Sequence, residues 1–398
     1  MTNLARCYNI ADLRERARAR LPRGIFEYVD RGTEDEVCLR HNREVIERIK
    51  LRPRVLVDVN QRSTATTLFG KPMAMPLAVA PTGSAGLTWY EGELALARAA
   101  KEAGVPFTLA TGSQTPLEKI AREAGGRLWF QIYMWANRNL SYELIRRVEN
   151  AGYEALIVTV DTPVGPNREY NTRNGFGLPF IPSLRSYVDM LTHPRWLVGT
   201  MFRYFATSGM PRLENHPEEY RRRITADPKT GRRALRSDSL NWTDIRRVRE
   251  LWPRTLMIKG LMHPDDARLA VEHGADAVVL SNHGGRNLDY VESTFEVLPE
   301  IAAAVGNRTT VIIDSGVRRG SDIVKALALG ANAVLAGRAT LYGTAAGGQA
   351  GAARALELLR YEMDTAMAML GCPTVADIGQ DMLAPAFQRR HIQRLAAE

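Results

Sequence analysis

A chain of 398 residues, 45% hydrophobic and 24% charged, holds enough apolar material for one large α/β barrel or two domains, which excludes a disordered or low-complexity protein. No apolar run reaches the ~18 residues of a spanning helix, and the amino terminus turns charged at once, so a cytoplasmic protein without a secretory signal is expected. The net charge of +9 is uneven, because residues 180–236 hold 11 Arg/Lys against 5 Asp/Glu, and that local excess favours an acidic partner surface.

Residues 1–50 read as a helical cap, followed by a short extended lead-in. Eight short apolar runs then have strand character, at 75–80, 107–111, 128–133, 155–160, 255–259, 277–281, 310–314 and 333–337. Most are near-continuous Val, Ile, Leu and Ala, the pattern of strands buried on both faces. Helical spacing separates them at 91–103, 116–124, 140–151, 242–251, 264–273, 294–305 and 321–329. Pro116 opens one of these helices, and glycines at 104, 125–126 and 330 stop three. The alternation predicts a closed (β/α)8 TIM barrel over 51–383, in a single domain with a tail at 384–398. An open doubly wound sheet is disfavoured because no GxGxxG follows the first strand. The connection at about 162–241 is far longer than the ~2–6 residues usual between such elements, so it is expected to be functional or disordered. Cys7, Cys38 and Cys372 are scattered, odd in number and without metal-ligand spacing; they read as free thiols, and no metal site is expected.

In such a barrel the site lies at the carboxyl ends of the strands. Those ends read Pro81-Thr82-Gly83, Thr111, Gln131 with Tyr133, Thr159 with Asp161, Lys259, Ser281 with His283, Asp314 with Gly316, and Gly337-Arg338. Nearly every strand thus ends on a hydrogen-bonding or ionisable group, where unselective turn residues would serve a barrel without a site. His283 is the candidate base, since an imidazole titrates near neutral pH. Arginine binds a carboxylate in a planar, bidentate way that lysine cannot match.

The segments SNHGGRNLD (281–289), EYVDRGTEDE, VAPTG, WFQIY, TVDTP, IKG, DSGVRRG and AGRATLYG resemble the FMN-dependent L-2-hydroxy acid oxidising family, whose signature is SNHGGRQLD. The resemblance runs from about residue 10 to 383 and is greatest to the (S)-mandelate dehydrogenase branch. It implies that Asp161 orients His283, that Arg168, Arg286 and Tyr28 hold the substrate carboxylate, and that Tyr133 lies near the substrate hydroxyl. It also implies that Lys259 offsets negative charge on a reduced flavin, with Gln131, Thr159, Ser281 and the backbone of Pro81, Thr82 and Gly83 along the ring. Asp314 would bind ribityl hydroxyls, and Gly316, Arg318, Gly337 and Arg338 the phosphate. Three departures stand out. Ala110 replaces the usual Ser or Thr, with Thr111 beside it as a substitute; Gly112 falls where glycolate oxidases carry Trp, which enlarges the pocket for an aryl side chain; and Gly83 falls where oxidases often carry Ala, which points to an acceptor other than oxygen.

The insertion at 180–236 mixes Trp196, Leu197, Val198, Met201, Phe202, Tyr204 and Phe205 with Arg195, Arg203 and the run of three Arg at 221–223. An apolar face beside arginines fits a monotopic membrane contact, and a packed flap or oligomer contact fits nearly as well. Nucleic acid is excluded as a partner because no recognition module accompanies the charge. The expected function is FMN-dependent oxidation of (S)-2-hydroxy acids of the mandelate type, with a quinone-like acceptor, in a homotetramer on the cytoplasmic face of the membrane. The rivals are an H2O2-forming oxidase and a flavin-binding barrel without catalysis.

Overall fold

Eight short strands, nearly all buried, close into a parallel barrel in a computed structural model that describes residues 4–176, 183–221, 238–385 and 387. Before the barrel, β1 (Thr66–Leu68) and β2 (Lys71–Met73) form an antiparallel hairpin where the sequence reading expects only an extended lead-in. The barrel strands are β3 (Leu77–Val79), β4 (Phe107–Ala110), β5 (Leu128–Ile132), β6 (Ala155–Thr159), β7 (Thr255–Leu261), β8 (Ala277–Leu280), β9 (Thr310–Ile313) and β10 (Ala333–Ala336). Neighbours follow chain order, and β10 pairs with β3 to close the ring. The expected (β/α)8 architecture is thus the observed one.

Side chains on a strand alternate between faces, so every second residue points into the barrel. Ala78, Trp129, Ile157, Met257, Val279, Ile312 and Leu335 form one buried cluster inside, and Leu68 and Met73 of the hairpin plug its lower end. The opposite parity, including Leu77, Phe107, Phe130, Leu156, Val158 and Ile313, packs against the surrounding helices. Two residues further along the inward parity come Gln131, Thr159, Lys259, Ser281 and Asp314. The core thereby changes from apolar to polar within one layer, and that layer is the floor of the barrel mouth.

The last helix, Arg338–Leu370, is longer than any the sequence reading marks and is interrupted at Gly347 and Gly348. Gly348 (φ +59) lies so close to Trp89 that a Cβ would sit 2.5 Å from its indole, so only glycine allows the approach. Arg20 stacks over the same indole, 4.3 Å from the ring centroid. Its guanidinium donates to the carbonyls of Thr88 (2.7 Å) and Ala345 (3.3 Å) and to Thr200 Oγ1 (3.0 Å). One buried cation thus fastens the helices of the amino-terminal segment to the barrel, the last helix and the insertion.

In the insertion, helices at Leu184–Leu191 and Arg203–Thr207 flank a π-helical turn at Leu197–Phe202. The run read as one apolar face divides in two. Trp196, Met201 and Tyr204 are buried, with Trp196 Nε1 donating to the Leu87 carbonyl at 2.7 Å, whereas Val198, Phe202 and Phe205 are exposed. Leu184, Tyr187, Val188 and Leu191 add an exposed apolar face that the sequence reading does not single out. Much of the basic stretch, residues 222–236 with two of the three consecutive arginines, lies outside the described residues, as does most of the tail. Among the described residues no helix is long and apolar enough to cross a membrane.

Candidate active site

Lys259 is 4% exposed at the centre of the mouth. Its Nζ donates to Ser281 Oγ at 2.6 Å and lies 3.1 Å from Asp314 Oδ2, so one ammonium binds the ends of β7, β8 and β9 together. Burial disfavours its charge, but Asp314 and then Asp161 outweigh that and raise its pKa, so the cation persists. Ser315 Oγ donates to the other Asp314 oxygen at 2.7 Å. Gln131 Nε2 donates to Thr159 Oγ1 at 3.0 Å, which completes a polar floor across five strands.

His283 follows β8 in a left-handed conformation (φ +58), rare for a side chain of this size. Its backbone N–H donates to Ser281 Oγ at 3.0 Å, which carries the hold of Lys259 into this turn. Nδ1 lies 3.0 Å from both oxygens of Asp161, and Nε2 lies 3.4 Å from the Tyr133 hydroxyl. Burial raises the Asp161 carboxyl, but the attraction of His283 overrides it and holds the group at about 2. Burial, with the charges of Lys259 and Arg168, lowers the His283 pKa against the opposing pull of Asp161, so the imidazole is neutral at neutral pH, with Nε2 free to accept. Burial also pushes Tyr133 up to about 12.

Arg168 and Arg286 come together beside this pair. Arg168 Nε donates to the Arg286 carbonyl at 3.1 Å, and the Arg286 guanidinium lies over the Tyr28 ring at 5.2 Å. Among the described residues neither is ion-paired with a carboxylate. Burial, and then the charge of Arg286, lowers Arg168 to about 10. Two part-buried guanidinium groups without an acid partner among the described residues suit an anion such as a carboxylate. Gly83 and Gly112 border the same space: a Cβ on Gly112 would meet nothing within 4 Å, and one on Gly83 only the Gly112 carbonyl and the Tyr28 hydroxyl.

Two residues differ from expectation. Thr111 donates its hydroxyl to the Gln131 carbonyl (2.7 Å) and accepts from the Tyr133 N–H (3.3 Å), so it braces β4 against β5 and has no donor left for a cofactor. Arg338 places three guanidinium N–H groups on the carbonyls of Val29, Gly284 and Arg31, so its side chain chiefly clamps the amino-terminal helices to the barrel. The Arg318 guanidinium lies over the Tyr342 ring at 5.4 Å with no acid partner among the described residues. Nearby, Gly316 (φ +103) and the amino end of the last helix at Gly337 and Arg338 offer backbone N–H groups, a setting that suits a phosphate.

Three residues escape the sequence reading. Gly260 (φ +109) is a bulge in β7 where a Cβ would lie 2.5 Å from Asp161 Cβ. Thr162 and Asn287 both hydrogen-bond Asp161. All three stand inside recognised motifs, IKG, TVDTP and SNHGGRNLD, yet nothing in their spacing says which neighbour they meet.

A closed parallel barrel with its ionisable groups gathered at the carboxyl mouth defines a barrel enzyme. Within that class the chain belongs to the FMN-dependent dehydrogenase family, whose sequence profile matches residues 17–385. It is 42% identical to (S)-mandelate dehydrogenase of Pseudomonas putida, over 94% of this chain and 93% of the relative. It is 40% identical to L-lactate oxidase of Nostoc sp., over 96% of this chain and 100% of that one. A crystal structure of monotopic membrane protein (S)-mandelate dehydrogenase superposes with a TM-score of 0.86 at 40% identity, covering 95% of this chain and 99% of that one. The chain is therefore an FMN-dependent oxidoreductase acting on the CH–OH group of 2-hydroxy acids. The donor set fits FMN: a buried cation and amide donors suit a flavin ring, and free N–H groups with Arg318 suit one phosphate.

Lys259→Met should lower stability by about 3–5 kcal/mol, because it leaves Asp314 buried and unpaired. Adding Asp314→Asn should recover most of the loss. Urea unfolding of the wild type and the two variants reads both effects.

Proposed function

We propose that the protein oxidises (S)-2-hydroxy acids of the mandelate type to 2-oxo acids and passes the electrons to a quinone rather than to oxygen. Two arginines without an acid partner among the described residues, beside a neutral His283 held by Asp161, carry this reading. Arg168 and Arg286, with Tyr28, would bind the substrate carboxylate. That leaves the substrate's hydroxyl and α-hydrogen toward His283 Nε2 and Tyr133. In becoming a 2-oxo acid the substrate loses two electrons and two hydrogens: His283 accepts one as a proton, and the other would leave with the electron pair to FMN. Asp161, ionised throughout, stabilises the imidazolium by its contact at Nδ1. Tyr133, whose hydroxyl stays protonated, can donate to the substrate oxygen.

FMN, when bound, supplies the two-electron acceptor. Lys259, Ser281, Gln131 and Thr159, with the backbone of Pro81, Thr82 and Gly83, would hold its ring. Asp314 would hold the ribityl chain, and Arg318 with the amides of Gly316, Gly337 and Arg338 the phosphate. The Lys259 cation would offset negative charge gathered on the reduced ring.

The open space at Gly112 favours an aryl side chain over a methyl group. The acceptor assignment draws on Gly83 and on the exposed apolar residues of the insertion, Leu184, Tyr187, Val188, Leu191, Val198, Phe202 and Phe205. With Arg185, Arg195 and Arg203 among them, these fit a monotopic contact with anionic lipid on the cytoplasmic face. A homotetramer is also proposed, since exposed Val55, Leu56, Tyr361 and Met369 offer apolar surface to a subunit contact.

His283→Ala should keep FMN bound and slow anaerobic flavin reduction by at least about 10²–10⁴-fold. In the wild type, protonating His283 abolishes the base, so reduction falls as pH drops through its pKa. Because that pKa is lowered, the half-point should fall below the ordinary value of about 6.5. Any loss on the alkaline side should come first from Arg168, whose pKa burial and the charge of Arg286 lower. Stopped-flow reduction across pH reads both limbs, and His283→Ala at wild-type speed would sink the base assignment.

Gly112→Trp should shift the ratio of kcat/KM for (S)-mandelate over (S)-lactate toward lactate by about tenfold or more. An unchanged ratio would remove Gly112 from the pocket. If wild-type enzyme prefers lactate, or its reduced flavin reacts faster with oxygen than with a quinone, the lactate or the oxidase reading replaces the corresponding part of the proposal.

Replacing Leu184, Leu191 and Phe202 together with Ser should weaken flotation with anionic liposomes by about tenfold or more while leaving dye-linked turnover intact. Equal flotation of variant and wild type would refute the membrane face.

A further inference from the structure

Asn287 lies four residues beyond His283, on the same turn after β8. Its Nδ2 donates twice, to the Asp161 carbonyl at 2.9 Å and to Thr162 Oγ1 at 2.9 Å. A backbone carbonyl can only accept, so the amide nitrogen must be the atom that faces it. The Thr162 hydroxyl, having accepted from Asn287, donates to Asp161 Oδ1 at 3.1 Å. Both Asp161 oxygens then meet His283 Nδ1 at 3.0 Å. The hydrogen bonds close a ring that leaves the His283 turn, crosses to the end of β6 and returns to the imidazole. Gly260 closes the other side, since only its missing Cβ lets Asp161 lie where it does.

We infer that Asn287 is a positioning residue for the general base, acting on His283 through Thr162 and Asp161. The inference rests on reading His283 as that base. An exposed asparagine would pair both ends with water, yet Asn287 Oδ1 is buried without a partner among the described residues. An unpaired buried acceptor is costly, so this residue is best understood through the two bonds that its nitrogen makes. Asn287 stands where the family signature SNHGGRQLD carries glutamine, which bears the same carboxamide on a chain one methylene longer.

The test uses FMN-loaded enzyme and anaerobic stopped-flow reduction by (S)-mandelate or (S)-lactate, whichever reduces the wild type faster. Asn287→Leu keeps the size and removes both donors. It should slow the limiting reduction rate about tenfold, as small misplacements of reacting groups do, with the apparent substrate Kd changed less than about twofold. Asn287→Gln should restore most of the rate. His283 is faced by Asp161, Lys259, Arg168 and Tyr133, and among these groups Asp161 raises its pKa while Lys259 and Arg168 lower it. A loosened Asp161 should therefore move the acid limb of the rate profile to lower pH.

The decisive comparison is made in an Asp161→Asn background, where Asn287→Leu should cost nothing further. Thr162→Val, which cuts the same ring at its middle, should show the same non-additivity and serves where Asn287→Leu does not fold. An equal loss with and without Asp161, or a loss confined to substrate Kd, would overturn the inference. Full activity of His283→Ala would overturn the base reading beneath it, whereas a large His283→Ala effect with additive Asn287→Leu defeats the positioning role alone.

Discussion

A buried ammonium is costly unless its charge is met at once, and Lys259 meets that demand with Asp314 on β9 and Ser281 on β8. Those two bonds draw three strand ends together at the point where the barrel core stops being apolar. The rest of the mouth is built outward from them. Ser281, anchored by Lys259, receives the His283 N–H and so sets where the left-handed turn begins. Asp314 in turn orders Ser315, whose hydroxyl accepts the Gly284 N–H at 3.0 Å. The cation thus acts twice: it shapes the turn that carries the imidazole, and it lays positive charge where a reduced flavin gathers negative charge.

Left-handed backbone recurs around the same centre. His283 and Ser315 take left-handed conformations that side chains of their kind rarely adopt, and Gly260, Gly284, Gly285 and Gly316 share that region. Such conformations persist where surrounding bonds over-determine them. Here those bonds come partly from the amino-terminal helices. The Gly285 carbonyl accepts from the Thr33 N–H, and the Asp289 carboxylate accepts from the N–H groups of Val37 and Cys38 at the start of the helix Val37–Arg48. Arg286 and Arg338 add bonds to the carbonyls of Val29 and Arg31. The segment that supplies Tyr28 is therefore bound to the turn that supplies His283, and a substrate between them meets groups already held in place.

All eight barrel strands were legible because residues buried on both faces must be apolar throughout, and runs such as ALIVT (155–159) and AVVL (277–280) leave no other reading. The polar residues that end those runs were legible for the same reason, since a buried strand ending on Lys259, Asp314 or Gln131 needs a partner or a ligand. The hairpin of β1 and β2 was not: three-residue strands carry almost no periodicity, and Leu68 and Met73 matter only because the barrel needs a plug. The bracing role of Thr111 was not legible, because a threonine beside a flavin and a threonine tying two strands look alike in sequence; its hydroxyl lies between the Gln131 carbonyl and the Tyr133 N–H. The insertion was half legible, since hydrophobicity along a chain does not say which residues turn inward, as Trp196 and Tyr204 do, and which remain in solvent, as Phe202 does.

By itself the sequence determined the barrel, the flavin family and the residue types that chemistry at its mouth requires, because strand burial and short motifs are local properties of neighbouring residues. Only the tertiary structure decided which of those groups meet. Asp161 and His283 lie 122 positions apart and touch because β6 and β8 flank β7 in a closed ring. Arg168 reaches the Arg286 carbonyl, Gly260 makes room for Asp161, and Asn287 reaches back to Thr162, all through contacts between segments distant in the chain. Such contacts depend on strand register and backbone angle, which no run of adjacent residues encodes.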